Sequence, residues 1–197
     1  MKEHPISFTS EMVRAILDGR KTQTRRVIKP TQKTEWLLCN DWADSFIKNP
    51  DNFLVMACPY GQSGDHLWVR ETFAVQPELW AEGHGLQPIH YPATTPKEQI
   101  EDYVFKPSIY MPRWASRITL EIVNMQVERI QEITWRECIA EGISSFTVAR
   151  GALSDPPTDP RWKFIELWNS INAKRGYGWD VNTWVWVIEF KKLEQHQ

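Results

Sequence analysis

Apolar and polar positions alternate or recur along the chain in a way that predicts short strands mixed with short helices. Ile6-Ser7-Phe8 reads as a strand. Thr9-Ser10-Glu11 follows as an N-cap with an acidic first turn. Met12, Val13, Ile16 and Leu17 then fall at helical spacing, so residues 10–18 read as one amphipathic helix. Gly19 stands where a capping glycine belongs, and residues 22–28 read as an edge or barrel strand ended by Pro30. Trp36–Cys39 reads as a strand, Asp41–Lys48 as a helix and Pro50-Asp51-Asn52 as a turn.

A turn-rich loop, Pro59–Asp65, feeds a strand over His66–Phe73. Its alternation puts Leu67, Val69 and Phe73 inside, with Trp68, Arg70 and Thr72 on the other face. Residues 76–115 carry many prolines and few periodic runs, the mark of a long irregular insertion. The clearest strand is 116–129. Ile118, Leu120 and Ile122 alternate, and Met125 and Val127 resume one step out of phase, which predicts a bulge near Val123-Asn124. Thr134 caps a short helix that runs to about Glu141 and stops at Gly142. Loop residues fill 144–160. Arg161–Lys174 forms a helix whose apolar side carries Trp162, Ile165, Trp168 and Ile171, widened by Phe164 and Leu167. Residues 183–190 make a β-branched and aromatic closing strand.

Composition narrows the class. The 197 residues suit one domain with a proper core, and a net charge of −2 demands no polyanion or membrane partner, so any such attraction must come from a local patch. The three cysteines, Cys39, Cys58 and Cys138, form no CxxC pair, which favours a reducing compartment; no signal peptide or membrane span is visible, and the expectation is a cytoplasmic protein. The five histidines are scattered, so neither a metal site nor any other cofactor is expected. Eleven tryptophans are the unusual number; most should be core or half-buried wall.

Four segments carry a family resemblance, in order: Ile16–Arg26 with Gly19-Arg20-Lys21-Thr22-Gln23-Thr24-Arg25-Arg26 at its heart, Gly64-Asp65-His66-Leu67-Trp68-Val69, Ile133-Thr134 to Ala140-Glu141-Gly142, and Trp186–Phe190. The first looks like the GxKxxTxR-type signature of the ASCH superfamily, which is similar in fold to PUA domains. The longer form, with Trp-Val-Arg-Glu-Thr and Met-Pro-Arg-Trp-Ala-Ser-Arg, resembles the phage and prophage branch. The resemblance implies an α+β fold: one PUA-like domain over 1–197, a small mixed β-barrel with short helices at its openings. Insertions near 31–58, 76–115 and 144–180 set the chain apart from the small bacterial amidohydrolases that act on acetylcytidine.

Carried over by motif position, the catalytic residues of those amidohydrolases fall on Lys21, Thr24 and Glu141. A threonine hydroxyl needs a base, and a lysine serves only with a lowered pKa, which burial or neighbouring cations supply. A lysine that stays charged stabilises an oxyanion instead. Glu141, in the last turn of its helix, faces the negative end of the helix dipole, which suits a proton carrier. In a regular strand Lys21 and Thr24 would point to opposite faces, so they converge only if Lys21 lies in the turn before the strand. Substrate-binding candidates are Arg20, Arg25, Arg26, Arg70, Glu71, Arg113, Trp114 and Arg117. The basic run Arg20–Arg26 also has a plain reading as a solvated strand edge, and Arg70 with Glu71 as a structural ion pair. The expected function is hydrolysis of a modified pyrimidine nucleoside or nucleotide, an N-acylcytidine amide. The alternatives are an RNA-binding PUA-like module without catalysis, or an ASCH-type ribonuclease. The expected partner is accordingly a small-molecule nucleoside or single-stranded RNA, with no membrane, bound by a monomer.

Overall fold

The first helix of the chain ends in a turn that decides where the site lies. In the computed structural model, which describes residues 1–29, 58–75, 89–143 and 159–194, a first strand β1 (Glu3–Ser7) leads into helix α1 (Ser10–Leu17). Thr9 Oγ1 accepts the Met12 N–H at 3.4 Å and caps the start. At the other end Gly19 takes φ +72°, a left-handed conformation that favours glycine, and the N–H groups of Arg20 and Lys21 both donate to Ala15 O at 2.8 and 2.9 Å. The reversed chain enters β2 (Gln23–Val27).

The rest of the described chain adds β3 (His66–Arg70), β4 (Ala74–Val75), β5 (Ile89–His90), β6 (Thr119–Arg129), α2 (Trp135–Ala140), α3 (Arg161–Asn172) and β7 (Trp184–Lys192). Short 3-10 turns at Lys97–Asp102, Ser108–Tyr110 and Arg113–Ala115 make up much of the proline-rich insertion. The strand Trp36–Cys39, the helix Asp41–Lys48, the turn at Pro50 and most of the loop 144–160 lie outside the described residues.

Five strands form one sheet in the order β1-β3-β6-β7-β2, and β4 and β5 form a separate pair. β1 runs parallel to β3; the other ladders of the large sheet are antiparallel. The bulge falls between Ile122 and Asn124, where the register against β7 shifts and Val123 turns outward at 50% exposure.

β7 is buried on both faces. Trp184, Trp186, Ile188 and Phe190 join Leu67, Val69, Leu120 and Ile122 and the inner side of α1 in the main core. Val185 and Val187 face the other way, onto Ile130, Ile133, Cys138, Phe164 and Trp168. Full burial of each large aliphatic contributes about 1.5–3 kcal/mol, so this strand anchors both layers. In α3 the buried positions are Phe164, Trp168 and Asn172, four residues apart, and Trp162 is 38% exposed. The apolar side is therefore rotated from the expected Trp162-Ile165-Trp168-Ile171 stripe, because a row spaced by four follows the straight face of a helix more closely than one spaced by three over this length.

The mixed α+β class holds, but the sheet is not a closed barrel. β1 and β2 are its edges, and no ladder joins them among the described residues. Pro5 lacks the N–H that a further ladder would use, which suits an edge strand. A side chain crosses instead: Arg26 Nη2 donates to Ser7 O at 2.7 Å, with its guanidinium 5.0 Å from the Phe8 ring centre. Among the described residues no helix is long and apolar enough to cross a membrane.

Candidate functional site

Lys21 sits in the turn between α1 and β2, two residues before the regular strand begins at Gln23. It forms an isolated antiparallel bridge with Glu141, and the Thr22 N–H donates to Ala140 O at 2.8 Å. Its side chain is completely buried. Nζ donates to Gln23 O at 2.8 Å, Glu141 O at 2.8 Å and Glu141 Oε2 at 2.6 Å, which uses all three ammonium donors. Burial pulls the Lys21 pKa below its ordinary value. The Glu141 carboxylate opposes that shift, and the nearby Arg26 and Arg25 charges add to it.

Glu141 is delivered by a short helix with a well-made start. Thr134 Oγ1 accepts the Glu137 N–H at 3.3 Å, and Glu137 Oε2 accepts the Thr134 N–H at 2.8 Å, a reciprocal capping box. Glu141 is the C-cap residue, followed by Gly142 at φ +90°. A Cβ at Gly142 would lie 3.0 Å from Ala15 Cβ and 3.1 Å from Lys21 Cβ, so glycine is required there by conformation and by space.

Arg25 joins Glu141 to two further carboxylates. Its Nη1 donates to Glu141 Oε1 at 3.3 Å, its Nε to Glu128 Oε1 at 2.8 Å, and Nη2 pairs with Glu128 and with Glu137 Oε1 at 3.0 Å. Two cations, Lys21 and Arg25, thus meet three carboxylates inside the fold. Burial raises the Glu128 pKa against the pull of Arg25. For Glu137 burial also pushes upward, but hydrogen bonds from Thr134 and the Arg25 charge outweigh it and hold the carboxyl below its usual value.

Beside this cluster lies a cavity of about 180 Å³, with Thr24, Arg26, Glu141, Tyr60, Trp168 and Tyr177 among its lining. Thr24 is 3% exposed, and its hydroxyl makes no hydrogen bond among the described residues. Lys21 is held directly behind Glu141 through the 2.6 Å contact. Aromatic walls and a hydroxyl beside a buried lysine–glutamate pair are the parts needed to hold a flat ring and move protons at one edge of it.

The remaining candidates stand elsewhere. Arg20 is at the surface, pairing with Asp18 at 2.8 Å and donating to Gly142 O at 3.3 Å. Arg70, Glu71, Arg113, Trp114 and Arg117 gather on the β1–β3 side of the sheet, with β6 and β7 between them and β2. Glu71 is buried and takes a two-pronged bond from Arg117, at 2.9 and 3.0 Å, not from Arg70. Arg117 also lies 3.9 Å from the Tyr91 ring centre. Arg113 grips Glu3 at 2.9 and 2.8 Å, Arg70 donates to Ile109 O at 3.3 Å, and Trp114 is 57% exposed.

Sequence reasoning missed Glu128, Glu137 and the walls from Tyr60, Trp168 and Tyr177. Glu137 had a visible signal, the three-residue spacing from Thr134; Glu128 had none, because Arg25 reaches it from 103 residues away. Cys58 and Cys138 are buried thiols whose pKa values are pushed up to about 12, so neither is a ready nucleophile. Among the described residues no group of three or more His, Cys, Asp or Glu is placed to hold a metal ion. No protein-family model, curated protein or solved structure matches the chain.

Proposed function

We propose that the protein hydrolyses the amide of an N-acylated cytidine in the cavity beside Lys21, Thr24 and Glu141. The observation that carries this reading is the fully buried Lys21–Glu141 contact of 2.6 Å at the wall of a cavity that Thr24 also lines. The resemblance of residues 16–26 and 133–142 to the ASCH amidohydrolases supports it. So does the interaction of Arg26 with Ser7, which draws the two sheet edges together as in an opened PUA-like barrel.

In this reading the Thr24 oxygen attacks the acyl carbonyl and its proton leaves toward the Lys21–Glu141 pair. The carbon–nitrogen bond breaks, the proton goes to the departing cytidine amine, and water then cleaves the threonine ester to release the free acid and restore the hydroxyl. The Glu141 carboxylate, which lines the cavity, takes that proton, and Lys21 donates to it from behind.

A second reading, an RNA-binding module or a ribonuclease, draws on the other end of the molecule, where Tyr110 and Trp114 line a cavity of about 470 Å³ with Lys106. One experiment separates the two. Purified protein and Lys21→Ala are each incubated with N-acetylcytidine and with labelled single-stranded RNA. The proposal expects cytidine and acetate from the wild type alone. No deacetylation, together with RNA binding that weakens steeply with salt, would falsify it. RNA shortening abolished by Lys21→Ala would assign the ribonuclease.

A further inference from the structure

Two guanidinium groups of the cavity lining, Arg26 and Arg175, make no ion pair among the described residues, and they identify the substrate further. Glu141 is the one carboxylate among the described residues lining the cavity, and Lys21 and Arg25 already neutralise it. Besides Arg25, the cationic side chains of Arg26, Lys29 and Arg175 line the same cavity. Arg26 donates to the Ser7 carbonyl and lies by the Phe8 ring, and its buried Nε has no hydrogen-bond partner among the described residues. Arg175 is exposed and has no hydrogen bond or ion pair to any described residue. It stands in the 3-10 turn Ala173–Arg175 that ends α3, held in place by Gly176 at φ +83°.

Exposed Arg20, Arg113 and Arg161 take carboxylates from Asp18, Glu3 and Asp159, whereas Arg14 is held by the Ala93 and Pro92 carbonyls and Arg136 lies over the Trp135 ring. Among the described residues Arg175, at the cavity, has no such partner. A guanidinium with no ion pair among the described residues, and a second with a spare buried N–H, beside an aromatic-lined hollow are the arrangement that receives a phosphate while the ring of the same molecule enters the hollow.

We propose that the substrate is a nucleotide rather than a nucleoside, with its phosphate taken by Arg175 at the cavity mouth, Arg26 adding to the positive field, and its base inside. This rests on the proposed pyrimidine site but not on the hydrolysis. The phosphate stays outside the reacting end, so it contributes binding and orientation and no bond change.

The test is a titration of the full-length protein with cytidine and with cytidine 5′-monophosphate, followed by tryptophan fluorescence, with inorganic phosphate as a third probe. The expected result is tighter binding of the monophosphate by about tenfold, the size of one charge-assisted contact, and weakening of that advantage with salt. Arg175→Ala should remove the advantage and leave cytidine binding unchanged; Arg175→Lys should restore part of it. Unchanged thermal unfolding of both variants keeps the comparison valid, as expected for an exposed, unpaired side chain. Equal binding of the two ligands by the wild type, an advantage that survives in Arg175→Ala, or no binding of either ligand overturns the proposal. Inorganic phosphate binding as tightly as the monophosphate also overturns it, since the base would then add nothing. Failure of deacetylation with the monophosphate preference intact would sink the hydrolase reading and leave this one standing.

Discussion

Lys21 and Glu141, 120 residues apart in sequence, hold each other twice: Nζ donates to the Glu141 carboxylate at 2.6 Å and to the Glu141 main-chain carbonyl at 2.8 Å. The first bond depends on the side chain and the second does not. Glu141→Gln therefore keeps the main-chain bond but leaves a buried ammonium without its counter-charge. It should cost about 3–5 kcal/mol in chemical denaturation, whereas the double change Lys21→Met, Glu141→Leu should cost clearly less, because removing both members leaves no lone buried charge at that contact. A double variant as unstable as the single one would show that the loss does not come from a lone buried charge.

Thr24 offers the opposite case. Its hydroxyl has no hydrogen bond among the described residues, so Thr24→Val should leave thermal stability unchanged or slightly higher. The same change should lower kcat/KM for N-acetylcytidine by at least about 10²-fold if the hydroxyl enters the reaction. Stability and activity measured on one preparation check both halves, and full activity in Thr24→Val would remove Thr24 from the mechanism.

Two glycines with similar backbone angles give a controlled comparison. Gly19 at φ +72° has no atom within 4 Å of an added Cβ, while Gly142 at φ +90° has Ala15 and Lys21 at 3.0 and 3.1 Å. Gly19→Ala should cost about 1–2 kcal/mol, the left-handed conformation alone. Gly142→Ala should cost more, and should also reduce activity by pushing on the Lys21 side chain. Equal losses at the two positions, read from urea midpoints at constant slope, would mean that the neighbours of Gly142 yield freely.

Asp65 governs a pH response at the other end of the sheet. It accepts the Lys2 N–H at 2.7 Å and the Gln62 N–H at 3.2 Å, and the first of these does most to lower its pKa below the ordinary 3.8. A carboxyl lowered on folding stabilises above its unfolded pKa, and that stability is lost as pH falls through the folded value. The stability difference between wild type and Asp65→Asn should thus be level at neutral pH and shrink as pH drops below about 3.8. A difference independent of pH down to 2 would show that Asp65 gains nothing from its charged form.

Local signals were legible in the sequence, and long-range ones were not. The bulge near Val123-Asn124 was readable because a slip in alternation leaves a mark on two neighbouring runs. The start and stop of α2 were readable because Thr134, Glu137 and Gly142 carry their own capping chemistry. Placing Lys21 opposite Glu141 needed the family resemblance, since nothing local links them. Arg25 shows the limit most clearly. Within a run of basic residues it reads as a solvated edge or a substrate contact, yet Glu128 of β6 and Glu137 and Glu141 at α2 converge on it and take it inside. The open sheet was not legible either, because strand patterns show which face is buried and not whether the two edge strands pair.

The place of β7 bears on how the molecule comes together in time. Among the described residues β2 has a single sheet partner, and residues 23–27 must wait for 185–189. Such distant pairing makes for slow folding, and it keeps the ladder of β2 unsatisfied while most of the chain is being synthesised. Lys21 precedes that same strand and Arg25 lies within it. The cavity is therefore among the last parts of the molecule to mature, and a nascent chain stalled before β7 would hold every candidate reactive side chain and have no site.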